Sequence, residues 1–209
     1  MKLIILGGFL GSGKTSILMP LAEQIVGRPD KSGNTKSKLA IIENEVGNVG
    51  IDQVFAEGAG YSTRELFSGC VCCTLVSSLL DSLCEIEKNE NPDWVILEAT
   101  GLAYPSDIAD SIWEYYDENM SITTCIIADC SRWDKISRAV GDLVYGQLED
   151  ANYVLLNKCD LVDEEKLNEV RKSIEEVTNG KLYELSALND PEGCRKICGE
   201  IVDEINSWD

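Results

Sequence analysis

The feature that most constrains the fold is a glycine-rich stretch near the N-terminus, Gly8-Phe9-Leu10-Gly11-Ser12-Gly13-Lys14-Thr15. It follows the apolar run 3–6 and precedes a helical pattern, which is the strand–loop–helix setting of a G-x-x-x-x-G-K-[ST] phosphate loop. A chance glycine-rich turn is disfavoured because strand, loop, Lys and Thr are all in place. The stretch therefore predicts a site for a nucleotide that carries several phosphates.

Each residue type in this loop has a chemical reason to be there. Glycines let backbone N–H groups approach phosphate oxygens, and the following helix adds its positive N-terminal end. We expect Lys14 to reach the β- and γ-phosphates during catalysis and the Thr15 hydroxyl to bind Mg²⁺. The predicted phosphate contacts are Gly8, Gly11, Ser12, Gly13, Lys14, Thr15 and Ser16.

Composition narrows the class of protein. The chain has 209 residues, 44% of them hydrophobic, which suffices for one domain over residues 1–209. A net charge of -19 disfavours nucleic acid and anionic membranes as partners. The first apolar run leads directly into the phosphate loop, which disfavours a signal peptide. No apolar run is long enough to span a membrane. We therefore expect a cytoplasmic protein.

Cysteine and histidine usage restricts the metal chemistry. The nine cysteines, an odd number, indicate reduced thiols rather than a disulfide framework. The chain has no histidine. Any metal site must therefore use thiolates, carboxylates, backbone oxygens or water, and no imidazole can act as a general base.

Carboxylates follow two predicted buried strands, at 38–42 and 94–97. Glu43, Glu45 and Asp52 come after the first, where they either bind Mg²⁺ and orient water or form an acidic surface turn. Glu98 ends the second, and Gly101 follows three residues later. This spacing is typical of a γ-phosphate sensor, with Glu98 near Mg²⁺ and the Gly101 N–H near the phosphate.

A tetrapeptide at a later strand end indicates the base. In Asn157-Lys158-Cys159-Asp160, the Asp160 carboxylate can accept hydrogen bonds from N1–H and the 2-amino group of guanine. Adenine would leave that acid unsatisfied. We expect the Lys158 stem to lie against the base and Ser186-Ala187 to supply a backbone N–H to the base oxygen.

A cysteine cluster lies between these motifs, at Cys70-Val71-Cys72-Cys73. In an extended segment Cys70 and Cys72 point to one side and Cys73 to the other. A sulfur-rich site favours Zn²⁺ or another thiophilic divalent metal. The alternative is that these cysteines pack as small hydrophobic residues, which is also the favoured interpretation of Cys194 and Cys198 on the last helix.

The alternation of apolar runs and amphipathic segments predicts the architecture. We expect a three-layer α/β/α nucleoside triphosphatase fold of the phosphate-loop type, with a mostly parallel central sheet. Gly141 and Gly146 weaken one helix. The predicted helices are 15–26, 75–87, 106–116, 133–149, 163–178 and 191–208, and a short strand is predicted at 63–67.

Taken together, five segments resemble the CobW-type GTPases, a family within the group that includes nickel-insertion GTPases of hydrogenase and urease maturation. They are Gly8–Thr15, Glu43–Asp52, Gly69–Cys73, Glu98–Pro105 and Asn157–Asp160, and the likeness covers residues 2–206. The most specific marks are the C-x-C-C pattern and a close match to E-[ST]-T-G-L-A.

The resemblance implies GTP hydrolysis coupled to the handling of a divalent metal, typically Zn²⁺ or Co²⁺. It assigns Cys70, Cys72 and Cys73 to the metal and Glu98 to the position where most GTPases have Asp. The chain departs from the family at Ala99, where a hydroxyl is usual, and in lacking a His-rich stretch. We expect it to lack the second, C-terminal domain that many relatives have.

Three functions follow as hypotheses. The first is a GTP-driven metallochaperone or activator of a client metalloprotein, with slow turnover that a partner accelerates. The second is an activator of a corrinoid protein or other cofactor-carrying client, in which the cysteines are structural or redox-active. The third is a small-molecule kinase, which the guanine motif disfavours. Relatives often dimerise with nucleotide, so we expect binding of GTP and GDP and a nucleotide-dependent homodimer.

Overall fold

A computed structural model describes residues 1–29, 33, 36–43, 61–65 and 74–208, with the backbone alone described at 61–65 and 74–76. Within these ranges the chain forms a single parallel sheet of seven strands in the order β3-β2-β4-β1-β5-β6-β7. The strands are β1 (Lys2–Gly7), β2 (Leu39–Glu43), β3 (Tyr61–Glu65), β4 (Trp94–Glu98), β5 (Ser121–Asp129), β6 (Tyr153–Asn157) and β7 (Lys181–Glu184).

In the described ranges a helix connects β1 to β2, and another connects each pair of consecutive strands from β3 to β7, as expected for parallel pairing. They are α1 (Lys14–Val26), α2 (Thr74–Glu90), α3 (Pro105–Tyr115), α4 (Trp133–Leu148), α5 (Glu164–Glu175) and α6 (Pro191–Asn206), with a short 3-10 helix at Cys159–Leu161. No helix in the described ranges is long and apolar enough to cross a membrane.

Alternating side chains of the strands divide the core between the two faces of the sheet. On β1, Ile4 and Leu6 pack in the cluster that contains α1 and α6, whereas Leu3 and Ile5 pack with α2 and α3. The residue pairing between β1 and β5 puts Ile126, which packs with α4 and α5, on the second face. The predicted three-layer α/β/α architecture is confirmed.

The helices and strands lie close to their predicted positions, with a local deviation inside α4. Val140 has non-helical angles (φ -143°, ψ 42°) inside α4, immediately before Gly141, where the sequence predicts a weak helix. Pro20 lies within α1, which continues to Val26. The short strand predicted at 63–67 is observed at Tyr61–Glu65.

The pairing of the strands brings the predicted motifs to one edge of the sheet. Glu98 at the end of β4 pairs with Leu6 near the end of β1. Asp129 at the end of β5 pairs with Asn157 at the end of β6. The carboxyl ends of parallel strands are where α/β proteins bind ligands, so this edge is the candidate site.

Candidate nucleotide-binding site

The phosphate loop turns tightly between β1 and α1 with a backbone that only glycine adopts readily. Gly8, Gly11 and Gly13 have φ of 129°, 72° and 104°. A Cβ on Gly8 would lie 2.3 Å from the carbonyl oxygen of Ile127, and one on Gly13 would lie 2.3 Å from Asn157 Nδ2. The glycines are therefore required by both conformation and space.

Polar groups inside this loop fit a phosphate. The buried Ser12 hydroxyl has no hydrogen-bond partner among the residues that the structure describes. Lys14 Nζ donates to Gly8 O at 3.2 Å, so the ammonium lies across the mouth of the loop. A buried donor and a positively charged group facing one turn suit an anion.

The structure brings Thr15 and Glu98 together as the magnesium prediction requires. Thr15 Oγ1 donates to Glu98 Oε1 at 3.0 Å, and Glu98 is buried. Glu43 pairs with Glu98 across β2 and β4, so both carboxylates leave the sheet side by side. These hard oxygen donors beside the loop fit Mg²⁺.

The turn after Glu98 packs directly on the phosphate loop. A Cβ on Gly101 would lie 2.7 Å from the backbone nitrogen of Leu10. Gln147, on α4 and only 3% exposed, donates from Nε2 to Gly101 O at 3.2 Å and to Ala103 O at 2.7 Å. Sequence reasoning missed Gln147, although an amide beside the buried Leu148 on an amphipathic helix is a signal that could have found it.

Asn157 joins the base motif to the phosphate loop. Its Nδ2 donates to Ser12 O at 2.8 Å, and its Oδ1 accepts from the backbone N–H of Lys158 at 2.8 Å and of Ala187 at 3.1 Å. The sequence predicts that a backbone N–H of Ser186-Ala187 donates to the base oxygen, and the Ala187 N–H is one of the two candidates. In the structure it has an internal acceptor, which a base oxygen would have to share or replace.

Lys158 is held in place by a buried carboxylate that sequence reasoning also missed. Lys158 adopts φ 63° and donates from Nζ to Gly11 O at 2.8 Å and to Asp129 Oδ2 at 2.6 Å. Arg132 donates from Nε to the same Asp129 oxygen at 2.7 Å and from Nη2 to Leu10 O at 2.8 Å. Asp129 thus orients two cations toward phosphate-loop carbonyls.

The charge state of Asp129 follows from these contacts. Burial by itself would raise its pKa, because desolvation penalises the carboxylate. Hydrogen bonds from Lys158, Ser131 and Arg132 outweigh burial and hold the pKa of Asp129 below its ordinary value of 3.8. Asp129 is therefore ionised at neutral pH and pairs with the two cations.

Asp160 lies in the 3-10 helix at the base end of the site. Its carboxylate accepts from the Ser186 hydroxyl and from Asn189 Nδ2, and these two hydrogen bonds lower its pKa. An ionised carboxylate is an acceptor for both N–H donors on the guanine edge. Ser186 thus contacts the predicted guanine acceptor, and Asn189 is an additional residue that no motif indicated.

The remaining predicted site residues lie in several parts of the chain. Ser16 lies in the first turn of α1. Cys194 and Cys198 are buried in the core, which confirms that they pack. The predicted ligands Glu45, Asp52, Cys70, Cys72 and Cys73 lie outside the described residues. In the part of the chain that the structure describes, no cluster of three or more acidic or cysteine side chains could hold a metal ion.

Known proteins resemble this chain in sequence and fold. Residues 2–183 match the family model described as CobW/HypB/UreG, nucleotide-binding domain. The chain is 30% identical over 212 residues to zinc-regulated GTPase metalloprotein activator 1 of Dictyostelium discoideum, covering 83% of this chain and 43% of that protein. It is 32% identical over 160 residues to the zinc chaperone YeiR of Escherichia coli, covering 75% and 46%.

Among solved structures, the fold is similar to Zn(II)-bound YjiA GTPase from E. coli, with a TM-score of 0.60 and 23% identity over 88% of this chain and 57% of that one. The chain spans about half the length of the two curated relatives. The family match agrees with the resemblance carried by the five sequence segments and with the predicted GTPase class. The chain thus belongs to the CobW/HypB/UreG nucleotide-binding domain family.

Proposed function

We propose that this chain binds and hydrolyses GTP, and that turnover is coupled to the binding and delivery of a divalent metal ion to a client metalloprotein. The observation that carries the nucleotide part is the Asn157 side chain, which joins Ser12 of the phosphate loop to the backbone of Lys158 and Ala187. This connection supports a single site in which the phosphate loop binds the phosphates and Asp160 accepts hydrogen bonds from guanine. The metal part is supported by relatives named a zinc chaperone and a zinc-regulated activator.

In this mechanism Lys14 exchanges its contact with Gly8 O for oxygens of the β- and γ-phosphates. Thr15 and Glu98 would hold Mg²⁺, and the ion would supply positive charge to neutralise the transferring phosphoryl group. The Gly101 N–H donates to the γ-phosphate. Asp160 accepts from the guanine edge and sets the choice of base.

Water activation falls to carboxylates in this proposal. The chain has no histidine, Glu43 ends β2, and Glu45 comes two positions later in the sequence. Glu43 is half-buried and pairs with Glu98 in the sheet. A carboxylate can orient water but gives no imidazole-type proton relay, so we propose slow intrinsic hydrolysis that a partner accelerates.

Coupling to metal uses Cys70, Cys72 and Cys73 as proposed ligands for Zn²⁺ or Co²⁺. In sequence they lie between Glu43–Asp52 and Glu98–Pro105, the two segments proposed to contact the γ-phosphate and Mg²⁺. GTP would order both segments and favour metal capture, and hydrolysis would favour release. The metal is then cargo whose affinity depends on the nucleotide.

The test is the affinity for Zn²⁺ and for Co²⁺, each measured with a non-hydrolysable GTP analogue and then with GDP. We expect binding tenfold tighter with the analogue, a coupling of about 1.4 kcal/mol. Replacing Cys70, Cys72 and Cys73 by Ser should abolish it, whereas Cys84→Ser on α2 should not. Equal affinity in both nucleotide states would contradict delivery and favour a structural or redox role toward a cofactor-carrying client such as a corrinoid protein.

Assembly is a separate part of the proposal. We propose a single domain over residues 1–209 that acts in the cytoplasm and forms a homodimer in the GTP state. Light scattering with analogue and with GDP tests the dimer directly. A monomer in both states would contradict it without affecting the hydrolysis proposal.

A further inference from the structure

Two cysteines outside the C-x-C-C motif lie side by side behind the base-recognition loop. Cys130 follows Asp129 at the end of β5, and Cys159 is the variable residue of the Asn-Lys-Cys-Asp motif. Their sulfur atoms are 3.9 Å apart. Cys130 is 1% exposed, whereas Cys159 is partly accessible. Only about 2 Å of sulfur movement separates this pair from disulfide length.

We propose that Cys130 and Cys159 are a reversible redox modification site, whose disulfide weakens guanine-nucleotide binding. The effect on nucleotide rests on the proposed GTP-binding function, whereas formation of the disulfide does not. The oxidant is a small-molecule disulfide such as oxidised glutathione.

Exposure and hydrogen bonding assign the attacking sulfur. The Cys159 S–H donates to Leu156 O at 3.0 Å, so the Cys130 S–H is the donor between the two sulfurs. The hydrogen bond that Cys159 accepts from Cys130 lowers the pKa of Cys159 in spite of its partial burial. The same hydrogen bond and burial raise the pKa of Cys130. Cys159 is therefore the more accessible and the more readily ionised thiol.

The exchange proceeds in two balanced steps. The Cys159 thiolate attacks one sulfur of oxidised glutathione, which forms a mixed disulfide and expels one glutathione thiolate. The Cys130 sulfur, losing its proton, then attacks Cys159 Sγ and expels the second glutathione thiolate. The protein loses two electrons and two protons, and one oxidised glutathione becomes two reduced molecules.

The location of the pair explains why the disulfide would affect nucleotide. The backbone N–H of Cys130 donates to Asn157 O at 3.0 Å, which ties Cys130 to the ends of β5 and β6. Cys159 lies in the short 3-10 helix, directly between Lys158 and Asp160. The backbone N–H of Cys159 makes a longer hydrogen bond, to Leu185 O at 3.3 Å. We therefore expect movement that closes the sulfur gap to fall mainly on the segment that carries the guanine acceptor.

Other buried cysteines make useful contrasts. Cys194 and Cys198 are both 0% exposed and lie on one helix, so an oxidant cannot reach them in the folded protein. Burial raises the pKa of Cys125 to about 12, which keeps that thiol protonated and unreactive. Among these described thiols, Cys159 alone combines partial exposure, a lowered pKa and a neighbouring sulfur.

The first experiment looks for the bond in the full chain, with Cys70, Cys72 and Cys73 replaced by Ser to remove the motif thiols. The protein is equilibrated over a range of reduced-to-oxidised glutathione ratios and digested with trypsin after blocking free thiols. We expect peptide 159–166 linked to peptide 89–132, with fragmentation placing the bond at Cys130 rather than Cys125. Absence of this link at every ratio would overturn the proposal.

The second experiment measures GDP and GTP-analogue affinity in reduced and oxidised samples of the same triple variant. We expect affinity to fall about tenfold or more on oxidation, because the guanine acceptor is displaced, and to recover with dithiothreitol. Adding Cys159→Ala, which removes the attacking thiol, should remove the response, whereas adding Cys198→Ala should preserve it. Unchanged affinity in a fully linked sample, or a persistent response in the Cys159→Ala protein, would overturn the switch.

The two proposals fail in distinguishable ways. If the reduced protein binds no guanine nucleotide, the proposed GTP function fails, while the peptide link still establishes the disulfide. If the reduced protein binds GDP normally and no link forms, the redox site fails and the GTP function stands.

Discussion

The candidate site has a phosphate end, formed by the loop Gly8–Thr15 with Glu98, and a base end, formed by Asn157–Asp160. The two ends differ in which partners satisfy their polar groups. At the phosphate end, Lys14 donates to Gly8 O and Thr15 donates to Glu98, and both contacts occupy atoms that a triphosphate and Mg²⁺ would claim. At the base end, Asn157 and Lys158 donate to carbonyl oxygens of the phosphate loop, which are acceptors that phosphate oxygens do not bind. Those contacts can persist when a nucleotide is bound.

This difference assigns separate tasks to the two ends. Under the proposed function we expect the base end, apart from the Ala187 N–H, to be preorganised, so that its residues contribute affinity and selectivity in every nucleotide state. We expect the phosphate end to exchange partners and thereby to distinguish GTP from GDP. Asn157 connects the two ends through Ser12, and each prediction below tests one side of this division.

The largest expected effect is loss of the phosphate-end ammonium. Lys14→Ala removes the positive charge at the loop and should weaken GTP and GDP binding by about 10³-fold. Affinity is measured by titration calorimetry or with a fluorescent nucleotide. Lys172→Ala, an exposed lysine in the last turn of α5, is the matched control and should bind normally. Wild-type GTP affinity in the Lys14→Ala protein would remove the central proposal.

The next effect concerns the base end and should appear equally in GTP and GDP. Asp160→Asn replaces an acceptor of two N–H groups by an amide, which should weaken guanine nucleotides by about 10²-fold. The amide can donate to the C2 oxygen of xanthine, so xanthine nucleotides should gain affinity. Asp142→Asn, on the exposed face of α4, serves as control. A loss confined to GTP would contradict preorganisation of the base end.

The fold and the motifs were predictable because they are local patterns. A phosphate loop, apolar strands and carboxylates at strand ends each occupy a few consecutive residues, so the sequence alone predicts the edge at which they meet. Gly141 likewise predicted the region where α4 deviates, although the non-helical residue is Val140.

Residues that support the site were not predictable for the opposite reason. Arg132 reaches Leu10 O and Gln147 reaches Gly101 O, contacts between residues 122 and 46 positions apart. Backbone carbonyls exist at every position, so no residue type marks them as partners. The pair of Cys130 and Cys159 is similar, since only the pairing of β5 with β6 makes them neighbours.

A third prediction tests whether the turn after Glu98 reads the γ-phosphate. Gln147→Leu keeps the volume but removes the hydrogen bonds to Gly101 O and Ala103 O. Without them the turn loses its support, and we expect affinity for a GTP analogue to fall about tenfold. GDP affinity should change little and provides the internal control. An equal loss of affinity for the GTP analogue and for GDP would mean that Gln147 stabilises the whole site rather than the γ-phosphate contact.

The smallest effect concerns the buried carboxylate behind the base end. The pKa of Asp129 is lower in the folded protein than its ordinary 3.8, so its ionised form stabilises the fold above about pH 4. That contribution is lost as the pH falls through the folded pKa. Asp129→Asn should therefore reduce the free energy of unfolding by about 1 kcal/mol at pH 7.

The difference between wild type and Asp129→Asn should then shrink in acid, because the wild-type carboxyl becomes neutral like the amide. Urea unfolding at pH 7, 5, 4 and 3 measures this convergence, with Asp142→Asn as the control that should follow wild type throughout. A constant difference at every pH would mean that Asp129 acts through packing rather than charge. The base end would then owe its preorganisation to Asn157, whose amide does not titrate, and not to the ion pairs of Asp129 with Lys158 and Arg132.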